Sequence, residues 1–427
     1  MIAHALSDTR AAVDCLQARR VHTIGGMDSK LLDHKGRAYA LERPHSDPVL
    51  PYVGPGTPGG ELLRRYWQPI ALSAEATDLP RLIRRFGEDL ILFRNQKGEP
   101  GLLYPRCCHR GSSLLYGRVE EDGIRCCYHG WKFSNHGVCL DQPCEPNGGR
   151  HRSSVRQPWY PVVEAFGAIF AYLGPPEKQP LFPIFSCFEG LRDDEEIVAY
   201  WFSSHGEISP FPLDHNWFQV YENASDHYHV PILHSLISGN QFLDARLTSK
   251  IPDIWWKYSQ AGDSILTYSK RVLEPSGDAW MRIEQGIIPN LLALPPFLSD
   301  GECMTVTAFV PIDDTNCMPL DIARQPKNFQ LQMASGDLGD KKLWKDMTLE
   351  EHQRHPLDYE AQSSQGKITF HSQEHLVGSD KGVSMHRRLF KRQCEIVAAG
   401  GDPVGVAFEE KDRMVRIEAR SWMETAG

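Results

Sequence analysis

The sequence lacks the features of a membrane, secreted or nucleic-acid-binding protein. No apolar run reaches the roughly 18 residues that a bilayer span needs. The first twenty residues carry polar and acidic side chains where a signal peptide needs an apolar core. Lys plus Arg number 46 against 55 Asp plus Glu, so the formal charge is −9 and no basic excess exists to neutralise a polyanion. We therefore expect a cytoplasmic protein that binds neither membrane nor nucleic acid.

Internal repeats and low-complexity tracts are also missing, which argues against a repeat architecture. With 41% hydrophobic and 24% charged residues, the composition is that of an ordinary globular protein. A length of 427 residues suggests two or three domains with sizeable cores. Cysteine, by contrast, is plentiful, and six of the eleven lie between residues 107 and 144. In a reducing compartment this clustering indicates metal binding rather than disulfide bonds.

The pattern along the chain divides it into three parts. Residues 1–45 have weak periodicity and are predicted to be an N-terminal extension. Residues 46–180 contain short apolar runs separated by turn residues, which predicts a small, mainly β domain. A proline-rich stretch at 175–183 marks its end, and residues 181–427 mix helical and strand patterns. The predicted fold class is therefore α+β.

Apolar periodicity locates the main helices. It predicts a short helix over residues 61–67, one over 216–234, and a final one over 383–398. Several strands are predicted between residues 250 and 310.

Two Cys/His pairs within the cysteine cluster have the spacing of metal ligands. Cys107 and His109 form a C-x-H pair, and Cys126 and His129 form a C-x2-H pair farther along. Each pair lies at a turn after a predicted strand, so two loops could close on one metal centre. Two thiolates and two imidazoles can hold either a structural zinc ion or a [2Fe–2S] cluster.

Additional cysteines leave the ligand assignment open at this stage. Cys127 also forms a C-x-H pair with His129, and Cys108 directly follows Cys107. The extra cysteines are predicted to be small buried hydrophobic residues around the cluster. They are Cys108, Cys127, Cys139 and Cys144.

A second group of polar residues lies in the predicted helix over 216–234. Asn223, Asp226 and His229 recur every three residues and would share one helix face, so Asp226 could orient the His229 imidazole. His229 and His234 are five apart, roughly 140° out of phase on an ideal helix. A break at Pro231 would let both imidazoles turn toward one ion. His227, on the same face as His234, is an alternative ligand that the spacing leaves open.

Both groups resemble the motifs of Rieske non-haem iron oxygenases, in the family's order and about 100 residues apart. The first pairs, each with a glycine after the loop, are similar to the Rieske motif, and Asn223 to His234 is similar to N-x2-D-x2-H-x4-H. The resemblance implies that Cys107 and Cys126 bind one iron of a [2Fe–2S] cluster. It implies that His109 and His129 bind the other.

The same resemblance assigns roles in the second group. His229 and His234 would bind a mononuclear Fe(II), with Asn223 nearby, and Asp226 would join it to a Rieske histidine of the neighbouring subunit. The tail of the chain is similar to that of the phthalate dioxygenase subgroup, and the matching position gives Asp358 as the carboxylate ligand. Glu360 is the obvious rival.

The resemblance also implies an architecture and partners. A Rieske [2Fe–2S] β domain would precede a helix-grip, START-like catalytic domain with a curved antiparallel sheet, in a homotrimer or a hexamer of two stacked rings. An NAD(P)H-dependent flavin and iron–sulfur reductase would supply electrons for O₂-dependent hydroxylation of an aromatic, carboxylated substrate. Demethylation of an aryl ether or amine is the alternative reaction in this subgroup.

Substrate contacts are predicted only from residue type. An apolar run around Ile288 could line a pocket for a ring, although such a run is more often core. Lys270, Arg271 and Arg282 could each pair with a substrate carboxylate, and solvated charges at strand ends are the alternative.

Two other classes of protein fit parts of the pattern. A Rieske electron carrier without oxygenase chemistry would not need His229. A zinc-stabilised binding protein would be colourless and would lack acid-labile sulfide.

Overall fold

The computed structural model describes most of the chain from residue 43 onward. The described ranges are 43–202, 211–241, 245–296, 299–328 and 344–426. The described residues from 45 onward belong to one compact unit, which is described below. The predicted extension over residues 1–45 lies almost wholly outside the described ranges. Within those ranges, no helix combines the length and apolar character that a membrane crossing requires.

Short antiparallel strands build the first part of this unit, as predicted. They are β1 (Trp67–Leu72), β2 (Arg81–Arg85), β3 (Glu88–Arg94), β4 (Pro100–Leu103), β5 (Arg118–Glu120), β6 (Gly123–Arg125), β7 (Lys132–Phe133), β8 (Cys139–Asp141), β9 (Trp159–Tyr160), β10 (Val162–Ala165) and β11 (Ala168–Tyr172). They pair in three sheets with the orders β1-β11-β10, β2-β3-β4-β9 and β5-β6-β7-β8.

A large antiparallel sheet dominates the second part. Its strands are β13 (Glu195–Trp201), β14 (Asp253–Tyr258), β15 (Ser264–Val272), β16 (Ala279–Ile287), β17 (Leu291–Leu294), β18 (Gly301–Glu302), β19 (Thr305–Asp313), β20 (Asn316–Pro326) and β22 (Arg420–Glu424); β12 (Ile184–Phe185) and β21 (Met414–Val415) form a separate parallel pair. The order is β13-β20-β19-β17-β16-β15-β14, with β22 beside β16 and β18. The strands predicted between residues 250 and 310 are confirmed.

Six α-helical segments accompany the sheets in the described ranges. They are α1 (Pro58–Leu63), α2 (Trp217–Tyr221), α3 (His229–Pro231), α4 (Leu349–Arg354), α5 (Asp358–Ser363) and α6 (Lys381–Ala398). The prediction for α6 is confirmed. Helix α1 begins earlier than predicted, because the Thr57 side chain accepts a hydrogen bond from the N–H of Gly60 and caps it, and the helix ends at Leu63.

One hydrophobic core joins both parts. Leu63 of α1, Phe390 of α6 and Ile287 of β16 are buried in the same cluster, and α6 packs against the sheet. The tight turn between β2 and β3 adds polar contacts, because the N–H groups of Phe86 and Gly87 donate to the carbonyls of Pro311 and Ile312 on β19. The α+β fold with helices against an antiparallel sheet is confirmed. The domain limits at 46–180 and 181–427 stay predictions.

Candidate metal centres

Two loops with matching backbone geometry carry the cysteine–histidine pairs. In the first, the N–H of Cys107 donates to the carbonyl of Ser112 at 2.8 Å, and the N–H of Gly111 donates back to the Cys107 carbonyl at 2.8 Å. In the second, the N–H of Gly130 donates to the Cys126 carbonyl at 3.1 Å. Both glycines have positive φ, 76° and 72°, which other residues rarely adopt. The glycines therefore let each loop fold back around its cysteine.

The four predicted ligands of the first centre come together. Cys107 and Cys126 are almost fully buried, while the rings of His109 and His129 have centroids 4.6 Å apart. Burial raises the pKa of the Cys107 thiol, and the adjacent Cys126 raises it further. A buried thiol that resists ionisation gains from a bound metal, since the cation stabilises the thiolate. The donor set therefore fits an iron–sulfur cluster.

The extra cysteines do not behave as one group. Cys139 is buried, as predicted. The prediction of burial is wrong for three others, which are exposed: Cys108, Cys127 and Cys144. Cys108 and Cys127 each follow a buried cysteine directly in the two ligand loops, and Cys144 lies near the second loop, with its thiol 3.6 Å from the His129 carbonyl oxygen. Because Cys126 is buried beside Cys107 and Cys127 is exposed, the geometry favours Cys126 as the ligand.

The second centre consists of His229, His234 and Asp358. One potential ligand atom from each lies within 4.8 Å of the others, and no other such His/Cys/Asp/Glu group occurs in the described part of the chain. The Nε2 atom of His229 lies 3.6 Å from Oδ1 of Asp358, and Nε2 of His234 lies 3.2 Å from Oδ2. Two imidazole nitrogens facing one carboxylate form the donor set of non-haem Fe(II) oxygenases. These residues fit a mononuclear iron.

The backbone that presents the histidines differs from the predicted continuous helix over 216–234. Helix α2 passes into a 3₁₀ turn at Glu222–Ser225, and Asp226 is extended, with φ −112° and ψ 92°. A helix restarts at His229 and continues as a π-helix over Ile232–Ile237. The break therefore lies at Asp226 and not at Pro231. Pro231 falls in the first turn of the restarted helix, where backbone N–H groups have no helical acceptor, so a proline there costs no hydrogen bond.

His229 and His234 meet across the change from α-helix to π-helix. His229 begins the α-helical turn, whereas His234 lies in the π-helix, which has more residues per turn than an α-helix. The ring centroids of His229 and His234 are 5.4 Å apart. We refer to residues 216–237 as the histidine segment.

The other ring nitrogen of each histidine faces a polar side chain. Nδ1 of His234 lies 2.6 Å from Oε1 of Gln241, within hydrogen-bond distance, whereas Nδ1 of His229 lies 3.6 Å from Oδ2 of Asp226, too far for a hydrogen bond. Gln241 also donates from Nε2 to the carbonyl of Pro356. A donor proton on Nδ1 leaves Nε2 free to bind a metal. Sequence reasoning missed Gln241, since no motif links it to His234.

The two candidate carboxylate ligands, Asp358 and Glu360, have different surroundings. Asp358 accepts a 3.4 Å hydrogen bond from Asn223. Burial tends to raise the Asp358 pKa, but His234 and His229 lower it overall, so the group stays ionised. Glu360 instead accepts from Trp344 Nε1 at 2.6 Å and lies 2.9 Å from His352 Nδ1. The geometry favours Asp358.

The alternative ligand His227 points elsewhere. Its Nε2 lies 2.8 Å from Oε2 of Glu284 on β16, and Arg282 donates from Nε to the other Glu284 oxygen at 2.7 Å. All three side chains are buried. Glu284, which sequence reasoning missed, therefore ties the histidine segment to the sheet. Arg282, predicted as a substrate contact, has a carboxylate partner within the chain.

The remaining predicted substrate contacts are dispersed. Lys270 has its ammonium 3.9 Å from a Glu424 carboxylate oxygen. Ile288 lines a cavity with Tyr66 and Trp67 of the first part, and none of the metal-ligand candidates lines that cavity. The structure does not bring these two residues together with the metal-ligand candidates, and their role in substrate binding stays a prediction.

Comparison with known proteins adds independent findings. Residues 66–164 match the model of the Rieske [2Fe–2S] domain. The chain is 46% identical over 400 residues to the phenoxybenzoate dioxygenase subunit alpha of Ectopseudomonas oleovorans, covering 92% of this chain and 95% of that protein. It is 37% identical to the oxygenase subunit of tert-butanol monooxygenase/tert-amyl alcohol desaturase of Aquincola tertiaricarbonis, covering 84% and 78%.

A third relative and a solved structure extend this list. The 5,5'-dehydrodivanillate O-demethylase oxygenase subunit of a Sphingobium strain is 33% identical, with coverage of 83% of this chain and 81% of that protein. The crystal structure of dicamba monooxygenase bound to dicamba superposes with a TM-score of 0.55 at 17% identity, covering 79% of this chain and 99% of that one. At that identity the superposition supports the fold alone.

Proposed function

Because the chain belongs to the Rieske non-haem iron oxygenases, as a terminal oxygenase subunit, we propose that it uses reductase-derived electrons and O₂ to hydroxylate an aromatic carboxylic acid. The observation that carries the proposal is the His229–His234–Asp358 group in the same chain as the two cysteine–histidine loops. Family membership implies a [2Fe–2S] Rieske cluster and a mononuclear iron as cofactors. The proposed substrate class follows the phenoxybenzoate dioxygenase relative.

We assign the cluster to Cys107, His109, Cys126 and His129. The cluster supplies one electron at a time, and its histidine ligands raise its reduction potential above that of an all-cysteine cluster. The two thiols lie inside the loops and the two imidazoles lie nearer solvent, which suits electron entry and exit at the histidine side. Trp131 stacks on His109, with ring centroids 4.3 Å apart and planes inclined by 4°, and so holds that ring in place.

We assign the iron to His229, His234 and Asp358. The iron supplies the chemistry of O₂ binding and reduction, for which a site with three protein ligands keeps open positions. Gln241 bonds to the His234 imidazole and leaves its Nε2 directed at the site, while the Asp226 carboxylate lies 3.6 Å from Nδ1 of His229. Asn223 donates a hydrogen bond to the Asp358 carboxylate. The protein thus fixes ligand orientation and access, while the metal carries the oxidation.

Asp226 is the proposed electron bridge to the iron. Its carboxylate approaches His229 on one side, and it is partly exposed, so a Rieske histidine of a neighbouring subunit could contact it. This route requires a ring of subunits, and we propose a homotrimer or a hexamer of two stacked trimers. We further propose that an NAD(P)H-dependent flavin and iron–sulfur reductase supplies the electrons.

A demethylase is the second candidate function. The relative that acts as an O-demethylase is 33% identical over most of the chain, so the same centres could oxidise a methyl ether. Substrate-dependent O₂ uptake with a surrogate reductase distinguishes the two. Phenoxybenzoate and phthalate should stimulate uptake if the proposal is right, and methoxylated aromatic acids should do so, with formaldehyde release, if the chain is a demethylase. Failure of every aromatic substrate would refute both.

A further inference from the structure

The inner face of the large sheet carries a strip of polar side chains beside the histidine segment. Thr267, Ser269 and Arg271 alternate along β15 and therefore point to the same side of the sheet. Arg282 lies opposite Ser269 on β16, and Glu284 lies opposite Thr267, so both share that side. All five side chains are buried.

Contacts at one end of the strip show that it lies on the face of the sheet that packs against the histidine segment. Glu284 lies 2.8 Å from His227, which stands between Asp226 and the candidate ligand His229. Gly286, two residues farther along β16, packs against His386 of α6 and Ala224 of the histidine segment. The strip therefore begins beside the histidine segment, which carries two of the candidate iron ligands, and runs away from it toward Arg271.

The strip has an excess positive charge. Glu284 pairs with Arg282 at 2.7 Å, whereas no carboxylate contacts Arg271 in the described part of the chain. The Nε of Arg271 donates to the carbonyl of Lys250, a neutral partner. Burial lowers the Arg271 pKa to about 10, so the guanidinium is still charged at neutral pH. A buried cation without an anion is costly, which indicates that an anion completes the cluster.

Two hydroxyl groups on the strip also lack partners. Thr267 Oγ1 and Ser269 Oγ are buried, and neither has a hydrogen-bond partner in the structure. Buried hydroxyls are rarely left unpaired, so their presence on the same strip as a guanidinium without an anion indicates a ligand with acceptor oxygens. The unpaired hydroxyls are independent of the excess positive charge as evidence for a ligand.

We propose that Arg271, together with Ser269, binds the carboxylate of the substrate. The inference rests on the proposed function and narrows the three basic candidates to one. Arg282 is neutralised by Glu284, and Lys270 lies on the opposite side of β15 from Arg271, since neighbouring residues of a strand alternate. Arg271 lies four residues beyond Thr267, about 13 Å along the strand. The subsite therefore suits an elongated acid whose carboxylate lies a ring or more from the carbon attacked.

The test compares an acid with its neutral ester in the metal-loaded enzyme. Calorimetric binding of phenoxybenzoate and of its methyl ester is measured without O₂ for the wild type, R271M and R420M. Arg420 is a suitable control, because it is exposed and its guanidinium lies over Trp422 rather than on the strip. R271M should weaken acid binding roughly 30-fold, the worth of a hydrogen bond to a charged group. The affinity of R271M for the ester should change less than about threefold. R420M should bind both the acid and the ester with wild-type affinity.

Other outcomes separate the subsite from the function. Unchanged acid binding by R271M, equal losses for acid and ester, or a wild type that binds the acid no tighter than the ester would overturn the subsite. If the subsite binds the acid as expected but no aromatic compound stimulates O₂ uptake, the proposed function fails instead. R271M should fold, because it removes an unpaired buried charge. If it does not, R271K should keep the charge and give an intermediate acid affinity.

Discussion

Oε1 of Gln241 lies 2.6 Å from Nδ1 of His234, on the side of the imidazole away from Asp358. A hydrogen bond there requires the proton on Nδ1 and so leaves Nε2 as the metal-binding nitrogen. Gln241 itself donates to the carbonyl of Pro356, two residues before the proposed carboxylate ligand Asp358. One amide side chain thus connects the two chain segments that carry the proposed iron ligands.

Replacing Gln241 by Leu should therefore weaken the mononuclear site. We expect Fe(II) affinity to fall about 10- to 100-fold, the usual effect of removing such a partner, while the Rieske spectrum is unchanged. Titration of iron-depleted protein with Fe(II) measures this affinity. Wild-type affinity in Q241L would show that the His234 ring needs no such support.

Asp226→Asn tests the electron bridge with a side chain of the same shape. Both metal sites should stay filled, because neither set of candidate ligands includes Asp226. Reoxidation of the reduced cluster by O₂ with substrate present should slow at least about tenfold, since the amide no longer links His229 to a second imidazole. Stopped-flow absorbance of the cluster follows the step, and an unchanged rate in D226N would refute the route.

Glu284→Ala removes the carboxylate between His227 and Arg282. Leaving one buried charge without its partner should cost about 3–5 kcal/mol of folding free energy, measured by urea unfolding. Glu195, which is also buried and accepts from Arg324 on β20, provides a matched pair away from the histidine segment. E195A should keep its mononuclear iron, whereas E284A should lose part of that iron. Equal iron content in the two variants would argue against a link between Glu284 and the site.

Asp321 gives a pH-dependent prediction. Burial raises its pKa from 3.8 to about 6, although Thr307 donates a 2.5 Å hydrogen bond to it. The folded protein therefore binds this proton more tightly than the unfolded chain, so stability is lost as pH rises through about 6. Asp321→Asn lacks this effect. Its unfolding free energy relative to the wild type should rise by about 1 kcal/mol between pH 5 and pH 8. A pH-independent difference would contradict the raised pKa.

Sequence reasoning succeeded where local chemistry determines structure. The loops around Cys107 and Cys126 need only a cysteine, a histidine and a glycine at fixed spacing, and α6 follows from its apolar stripe. Sequence reasoning failed at Asp226, because long-range contacts interrupt the helix there. His227 contacts Glu284, and the carbonyl of Ser225 accepts a hydrogen bond from Trp256 Nε1. No local pattern encodes either contact.

The hydrogen-bond partner of His234 and the polar strip on the sheet could not be predicted from the sequence for a related reason. Gln241 reaches His234 only through the path of the chain after the π-helix. The type of residue cannot distinguish Arg271 from Arg282, since the difference lies in which of them has Glu284 as a neighbour. The spacing of residues in the sequence predicts metal ligands within one loop. Whether a buried arginine has a carboxylate neighbour depends instead on which strands pair.

The most direct test of the account is the metal content of the purified protein and of its His234→Ala variant. The wild type should be red-brown, with about three irons and two acid-labile sulfides per chain, two irons in the cluster and one mononuclear. H234A should keep the cluster, with its spectrum unchanged, and lose only the mononuclear iron. Zinc at the cysteine–histidine loops, or a wild type with only two irons per chain, would contradict the presence of two iron centres in this polypeptide.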